Sequence, residues 1–203
     1  KSIKESINVW KVVPRTVWWL FVIRTLVMFG MATTNVINAL YARDFLGIPE
    51  EQWWLVFIPL LVTMIVASIP IGKMVDTIGR KIPLVLGLSV LGAATLVFVN
   101  GTLLTLMISM SMFGIAHMLS MSAAMALSAD LVHPVNRGKV VGFRNFVGYI
   151  MMGVGMLVGN WLYVNSIPQA PFYLNLVLLV PAFLIVLFLV HEPRKRVGAI
   201  TPA

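Results

Sequence analysis

The sequence predicts an all-α membrane protein with six transmembrane helices. Three observations lead to this prediction: a very apolar composition, six separate apolar runs, and a strongly uneven placement of the basic residues. Of the 203 residues, 60% are hydrophobic and only 11% are charged, and the mean hydropathy is +0.96. Soluble domains contain about 25% charged residues. We therefore expect most of the chain to lie in a lipid bilayer.

Six runs are long enough to cross a membrane as helices, which takes about 20 mostly apolar residues. Their approximate bounds are 16–41, 53–71, 82–99, 103–127, 140–163 and 172–190. Backbone groups in lipid must be paired within the protein, so helices are expected. None of the runs alternates in the way that strands of a membrane β-barrel do. The predicted bundle therefore occupies residues 16–190.

The basic residues indicate how the bundle is oriented. Of the 15 Lys and Arg residues, 13 fall before the first run, after the sixth, or in or beside the second-to-third and fourth-to-fifth connections. The opposite side holds only Arg43, and Arg24 lies inside the first run. Basic residues accumulate in cytoplasmic loops, so residues 1–15 and 191–203 are predicted to be a cytoplasmic loop and tail. This placement explains the net charge of +8 without a nucleic-acid partner.

The chain opens with basic and polar residues and begins with a lysine. We interpret this opening as an internal loop of a longer protein.

The second-to-third connection concentrates charge between two apolar runs. It reads GKMVDTIGRK, and its candidate functional positions are Gly72, Asp76, Gly79, Arg80 and Lys81. The glycines allow tight turns, and Asp76 could face Arg80 if both lie on one helix with i,i+4 spacing. A carboxylate at a helix start would also be stabilised by the helix dipole. The alternative interpretation is an ordinary loop with scattered charges.

A second charged connection joins the fourth and fifth runs. It reads ADLVHPVNRGK from position 129 and is followed by Gly142. Asp130 is expected to end the fourth helix, and Arg137, Gly138 and Arg144 fall at the start of the fifth. The spacing G-x-x-x-D-x-x-G-R-K of the first connection and D-x-x-x-P-x-x-R-G-x-x-x-G of the second resemble the corresponding loops of the major facilitator superfamily.

This resemblance covers nearly the whole chain and implies a secondary transporter of small solutes that works by alternating access. The expected fold is a half-bundle of two inverted three-helix repeats. The fourth run lacks an arginine and the fifth lacks a Gly-Pro pair, both common in the family's first half. The chain is therefore more similar to the second, C-terminal six-helix half.

The expected partners are a small-molecule substrate, the lipid bilayer and the N-terminal six-helix half of the same polypeptide, in the plasma membrane. The predicted spans contain no Asp or Glu. Proton coupling through His117 or through the other half, and uncoupled facilitated diffusion, are all left open.

The resemblance also assigns the two charged connections to a latch on the cytoplasmic side. It implies that Arg80 pairs with Asp130, and that Asp76 contacts the start of the fifth helix near Arg137 or Arg144. Ion pairs that are partly exposed to water contribute about 1 kcal/mol or less. Contacts of that strength suit a latch that opens in every cycle.

Polar side chains within the spans provide the candidate substrate face, because such groups usually face protein or a water-filled cavity. The spacing of Arg24, Met28, Met31, Asn35 and Asn38 forms one stripe on the first helix. The resemblance implies that the first and fourth helices line the cavity. The full candidate set is Arg24, Met31, Asn35, Asn38, His117, Met121, Tyr149 and Met152.

Three kinds of these candidates have a plainer interpretation. The side chain of Arg24 could reach back to the lipid headgroups, and His117 could serve as a hydrogen-bond partner between helices. The methionines of the fifth helix could simply belong to the core.

Other classes of protein fit the sequence less well. An intramembrane serine protease would need an activated, glycine-framed serine, and a metal site would need clustered His and carboxylate ligands. We therefore predict neither an enzyme nor a bound metal or cofactor. A channel would need a re-entrant filter segment. A stand-alone six-helix carrier that acts as a dimer stays open as an alternative.

Overall fold

The computed structural model of the chain describes residues 13–192. The predicted loop 1–15 and tail 191–203 therefore lie almost entirely outside the described residues. The helices are α1 (Arg15–Asn35), α2 (Asn38–Asp44), α3 (Trp53–Ile78), α4 (Lys81–Val99), α5 (Leu103–Leu131), α6 (Pro134–Asn165) and α7 (Ala170–Leu189). Six segments are long and apolar enough to cross a membrane: α1 together with α2, and then each of α3 to α7. The prediction of an all-α bundle with six spans is confirmed.

The helices differ from the apolar runs mainly at the ends that carry the basic connections. α3 continues to Ile78 rather than ending at 71, α5 continues to Leu131 rather than 127, and α6 begins at Pro134 rather than 140. An apolar run marks only the part that lies in hydrocarbon, whereas backbone hydrogen bonds extend a helix into the interface. As a result, most of the segment 72–81 is helical, and a two-residue link separates α3 from α4.

The six spans pack with an internal two-fold pattern. α1 packs against α6 and α7, and α5 packs in the corresponding way against α3 and α4. α4 also contacts α7, and α1 touches α5 along a short stretch. Exchanging the first three spans for the last three preserves these contacts, while corresponding spans cross the membrane in opposite directions. This is the arrangement of two inverted three-helix repeats.

These contacts place four helices in a row, in the order α3, α5, α1, α6, with α4 and α7 behind them. The main core lies where the rear helices meet α1 and α5, and its buried side chains include Leu20, Ile23, Leu84, Leu88, Leu119 and Leu179. α6 approaches α1 closely at Gly155 and Gly159, since a Cβ at either position would collide with the backbone of α1. Small residues permit this kind of close helix contact in membranes.

Aromatic side chains close the end of the bundle that lies opposite the basic connections. The Tyr41 hydroxyl donates a hydrogen bond of 2.8 Å to the Val99 carbonyl oxygen. The Tyr41 ring centroid lies 4.9 Å from that of Phe172, which stacks on Phe98 at 5.4 Å. This aromatic cluster ties α2 to α4 and α7.

Candidate functional site

The turn between α3 and α4 is built around Gly79. Its φ of 100° and ψ of −174° form a conformation that residues with a Cβ rarely adopt. Glu192, which follows α7, occupies the space beside it, with carboxylate oxygens 2.7 and 2.8 Å from the ideal Cβ position. Glu192 Oε1 accepts hydrogen bonds from the main-chain N–H of Arg80 at 2.5 Å and of Lys81 at 2.6 Å. The carboxylate thus caps the N-terminus of α4, where unpaired N–H groups and the helix dipole favour a negative charge.

A second contact joins the same two helices. Lys81 Nζ donates to the Leu187 carbonyl oxygen at 2.6 Å, near the C-terminus of α7. Sequence reasoning missed the role of Glu192. The available signal was its isolation: it is the only acidic residue after Asp130, and it stands beside the basic residues that follow the last span.

Arg80 holds the ends of α3, α4 and α5 together. Its Nε lies 3.1 Å from Asp130 Oδ2, in the pair that the resemblance implied. Its Nη1 donates to the Val75 carbonyl oxygen at 3.2 Å, and its Nη2 lies 3.9 Å from Asp76 Oδ1. The Arg80 and Asp130 side chains are 10% and 17% exposed, whereas Asp76 is 77% exposed. The pair with Asp130 is therefore the stronger of the two, because water screens the other.

The expected contact of Asp76 with the start of the fifth helix is wrong. Asp76 lies near the C-terminal end of α3, not at a helix start. Arg137 instead donates to the carbonyl oxygens of Val132 at 3.0 Å and Ala129 at 2.5 Å, which closes the turn between α5 and α6. Arg144 turns toward the side of α5. The contacts in the region of the predicted latch involve Asp76, Arg80, Lys81, Asp130 and Glu192, and we keep the name latch for these five residues.

The other glycines predicted for the connections have no comparable role. Among residues 13–192, no atom would lie within 4 Å of a Cβ placed at Gly72 or Gly138. Gly72 lies inside α3 and Gly138 near the start of α6. Neither a turn nor a close contact therefore requires glycine at these two positions.

A cavity of about 430 Å³ lies between α1 and α5, toward the latch. Side chains of α1, α4, α5 and α6 line it. The polar ones are Arg24, Asn35, His117, Ser120, Arg144 and Asn145. The apolar ones are Leu20, Ile23, Val27, Met28, Met31, Ala32, Leu84, Leu88, Met121, Ala124, Met125, Val141 and Met152. We call this the first cavity.

A second cavity of about 310 Å³ lies toward the aromatic cluster. Met31, Asn35 and His117 line both cavities, which therefore meet near the middle of the bundle. Asn175 of α7 lines the second cavity and is 1% exposed, and its Nδ2 donates to Thr95 Oγ1 at 3.3 Å. Asn175 was missed in the sequence, although it is the one asparagine in the apolar run 172–190.

The structure brings most of the substrate-facing candidates together. The first cavity contains Arg24, Met31, Asn35, His117, Met121 and Met152, and Asn38 lines the second. Tyr149 lines neither cavity and is 63% exposed on α6. Arg144, which sequence reasoning assigned to the latch, lies in the wall of the first cavity.

Two arginines face the first cavity with few polar partners. Arg24 Nη2 donates to Asn145 Oδ1, and Arg144 Nη1 donates to Ser128 Oγ, each over 3.4 Å. The Nε of each arginine is buried and has no hydrogen-bond partner within the described part of the chain. None of the described side chains that line this cavity is an Asp or Glu. The first cavity is therefore a positively charged compartment.

Six membrane-crossing helices, an inverted internal repeat, and stacked cavities between the central helices of the two repeats together characterise a membrane transport protein. A sequence model described as the Major Facilitator Superfamily matches residues 20–203, and the chain belongs to this family. It is thus an integral membrane protein of a family that transports small solutes. No curated protein matches the chain.

Proposed function

We propose that the chain is the C-terminal six-helix half of a secondary transporter that moves a small solute across the plasma membrane by alternating access. The observation that carries this proposal is the pair of cavities that meet at Met31, Asn35 and His117. Alternating access requires a central site whose path to each side can be closed separately. The latch stands at one end of the two cavities and the aromatic cluster at the other.

The exposed faces of α3 and α6 support a companion half as the partner. The second and fifth spans are the least buried of the six described spans, with 11% and 17% of their most apolar stretches buried, against 28–50% in the others. Both helices flank α1 and α5 in the same row. A second six-helix bundle placed there would cover both faces and enclose the cavities at once.

The placement of the basic residues supports a cytoplasmic location for the latch. Lys73, Arg80, Lys81, Arg137 and Lys139 lie at the latch end of the described bundle, whereas Arg43 lies at the opposite end. By the positive-inside rule, this distribution supports the proposal that the latch end of the bundle faces the cytoplasm.

Single cysteines introduced into a cysteine-free background test alternating access directly, and the 203-residue sequence needs no replacement for this because it contains no cysteine. Met121→Cys would report on the first cavity and Ala39→Cys on the second. In the complete polypeptide, a membrane-impermeant thiol reagent should label the first from the cytoplasmic side and the second from the outside. Val177→Cys, on the exposed face of α7, is the lipid-facing control.

The decisive observation is whether the two labelling rates change in opposite directions. Asp130→Asn removes the shielded partner of Arg80 and should raise labelling of the first cavity while lowering labelling of the second. If both rates rise together, the bundle behaves as a channel and the proposal fails.

The identity of the partner has its own test. We expect the complete polypeptide to carry six further spans before Lys1. If the 203-residue chain expressed alone transports solute as a dimer, the stand-alone carrier is correct instead.

A further inference from the structure

Arg43 and Arg80, which lie at opposite ends of the bundle, are paired with acids, whereas the two arginines of the first cavity are not. Arg43 and Arg80 each lie within 3.1 Å of a carboxylate oxygen. Within residues 13–192, neither Arg24 nor Arg144 has a carboxylate at ion-pair distance. Arg144 is only 9% exposed.

An unbalanced cation within a membrane bundle is unfavourable unless something compensates for it. The guanidinium of arginine holds five donors in a planar fork that matches a carboxylate or phosphate. Arg24 and Arg144 each make one long hydrogen bond, and the Nε of each is left without a partner. Arg24 of α1 and Arg144 of α6 both line the first cavity and are short of acceptors, so a single anion between these two helices would supply acceptors to both.

The rest of the wall indicates what else such an anion carries. Leu20, Val27 and Leu88 are aliphatic, and Met28, Met121 and Met152 add flexible thioether side chains that adapt to varied apolar shapes. An inorganic anion would leave most of this wall without a complementary surface. A small organic acid with an apolar body would contact both parts of the cavity.

We propose that the first cavity binds a small carboxylate with an apolar body, and that Arg24 and Arg144 hold its carboxylate group. The inference rests on the proposed transport function and names the class of solute. An acidic side chain from the companion half could also place a carboxylate between the two arginines. The experiment distinguishes that side chain from a free solute.

The test compares acids with their neutral amides on the purified complete polypeptide in a nonionic detergent. Butyrate, hexanoate and phenylacetate are each matched to the corresponding amide, and inorganic phosphate is added as an anion without an apolar body. Binding is read as the rise in melting temperature with ligand concentration, because a ligand that binds the folded state stabilises it. At least one carboxylate should bind about tenfold or more tightly than its amide, as expected when a charge-assisted hydrogen bond is lost.

Arginine variants locate the site. Arg24→Gln and Arg144→Gln should each abolish the preference for the acid over the amide. Arg43→Gln removes the same charge from a residue that lies outside both cavities, and it should keep the preference. The comparison of acid with amide on the unaltered protein stands even if a cavity variant fails to fold.

Three results would overturn the inference. The first is that all three acids bind no more tightly than their amides. The second is that phosphate binds more tightly than every organic acid. The third is that both cavity variants keep the full preference for the acid over the amide. An acidic side chain from the companion half would give the first result, together with a lower melting temperature of both variants without ligand. Binding is measured without transport, so an acid that binds but is never transported would contradict the proposed function alone.

Discussion

Gly79→Ala is the sharpest perturbation of the latch because its two effects can be separated. Placing a residue with a Cβ in this backbone conformation costs about 1–3 kcal/mol. The new Cβ would also lie within 2.8 Å of both carboxylate oxygens of Glu192, which must then leave the N–H groups of Arg80 and Lys81. Loss of a helix cap costs about 1–2 kcal/mol.

The sum is about 2–5 kcal/mol against the latched conformation. Since about 1.4 kcal/mol corresponds to a factor of ten, even the lower end shifts the equilibrium roughly 30-fold. The assay is the rate at which a thiol reagent labels Met121→Cys, together with the melting temperature of the complete polypeptide.

Two companion variants separate the effects. Gly47→Ala places a Cβ at a φ of 66° with nothing within 4 Å, so it measures the backbone cost alone, about 1–2 kcal/mol. Glu192→Ala removes the cap alone. The double variant with Gly79→Ala and Glu192→Ala should cost about 1–2 kcal/mol less than the sum of the single changes, since the cap can be lost only once. Strict additivity, or a Gly79→Ala effect no larger than that of Gly47→Ala, would refute the role of Glu192.

The remaining predictions concern the latch pair, proton coupling and helix packing. Asp130→Asn should lower stability by about 2–3 kcal/mol, because it leaves the shielded Arg80 without its carboxylate partner. Asp76→Asn should lower stability by less than about 1 kcal/mol, because Asp76 is exposed. Equal losses of stability in thermal unfolding would contradict this ranking. If an inward proton gradient accelerates uptake into liposomes, His117→Gln should abolish that acceleration, and an unchanged acceleration would place the proton carrier in the companion half. Gly159→Ala should destabilise by about 1–3 kcal/mol, because backbone meets backbone at that contact with α1. Gly153→Ala, with open space around it, should be neutral or slightly stabilising in the same melting experiment.

The number of spans could be predicted because each span is a property of a long segment. Each apolar run averages over about 20 residues, so a single polar side chain such as Arg24 or His117 does not obscure it. The helix ends could not be predicted in this way. α3 runs past Ile71 through Lys73 and Asp76 because its backbone hydrogen bonds continue where hydrophobicity has ended.

Predicting individual site residues required a finer property, namely the position of each side chain around and along its helix. Arg137 and Arg144 are seven residues apart, so they lie on nearly the same face of α6 but about 10 Å apart along it. That distance carries Arg144 out of the latch and into the first cavity. Tyr149 is five residues beyond Arg144, or about 140° around the helix, and faces away. The role of Glu192 could not be predicted for a different reason. It caps a helix that begins 111 positions earlier in the chain, so no local pattern connects the two.

The latch and the first cavity share the last turns of α5, and in the proposed transport cycle this would connect binding to gating. Ser128 accepts the hydrogen bond of Arg144, and Asp130, two residues later, pairs with Arg80. A movement of this turn that separates Asp130 from Arg80 also shifts Ser128 relative to Arg144. Conversely, an anion that draws the Arg144 guanidinium into the cavity removes its link to Ser128. Because coupling between two equilibria is reciprocal, an occupied cavity and a closed latch must then affect each other by the same free energy.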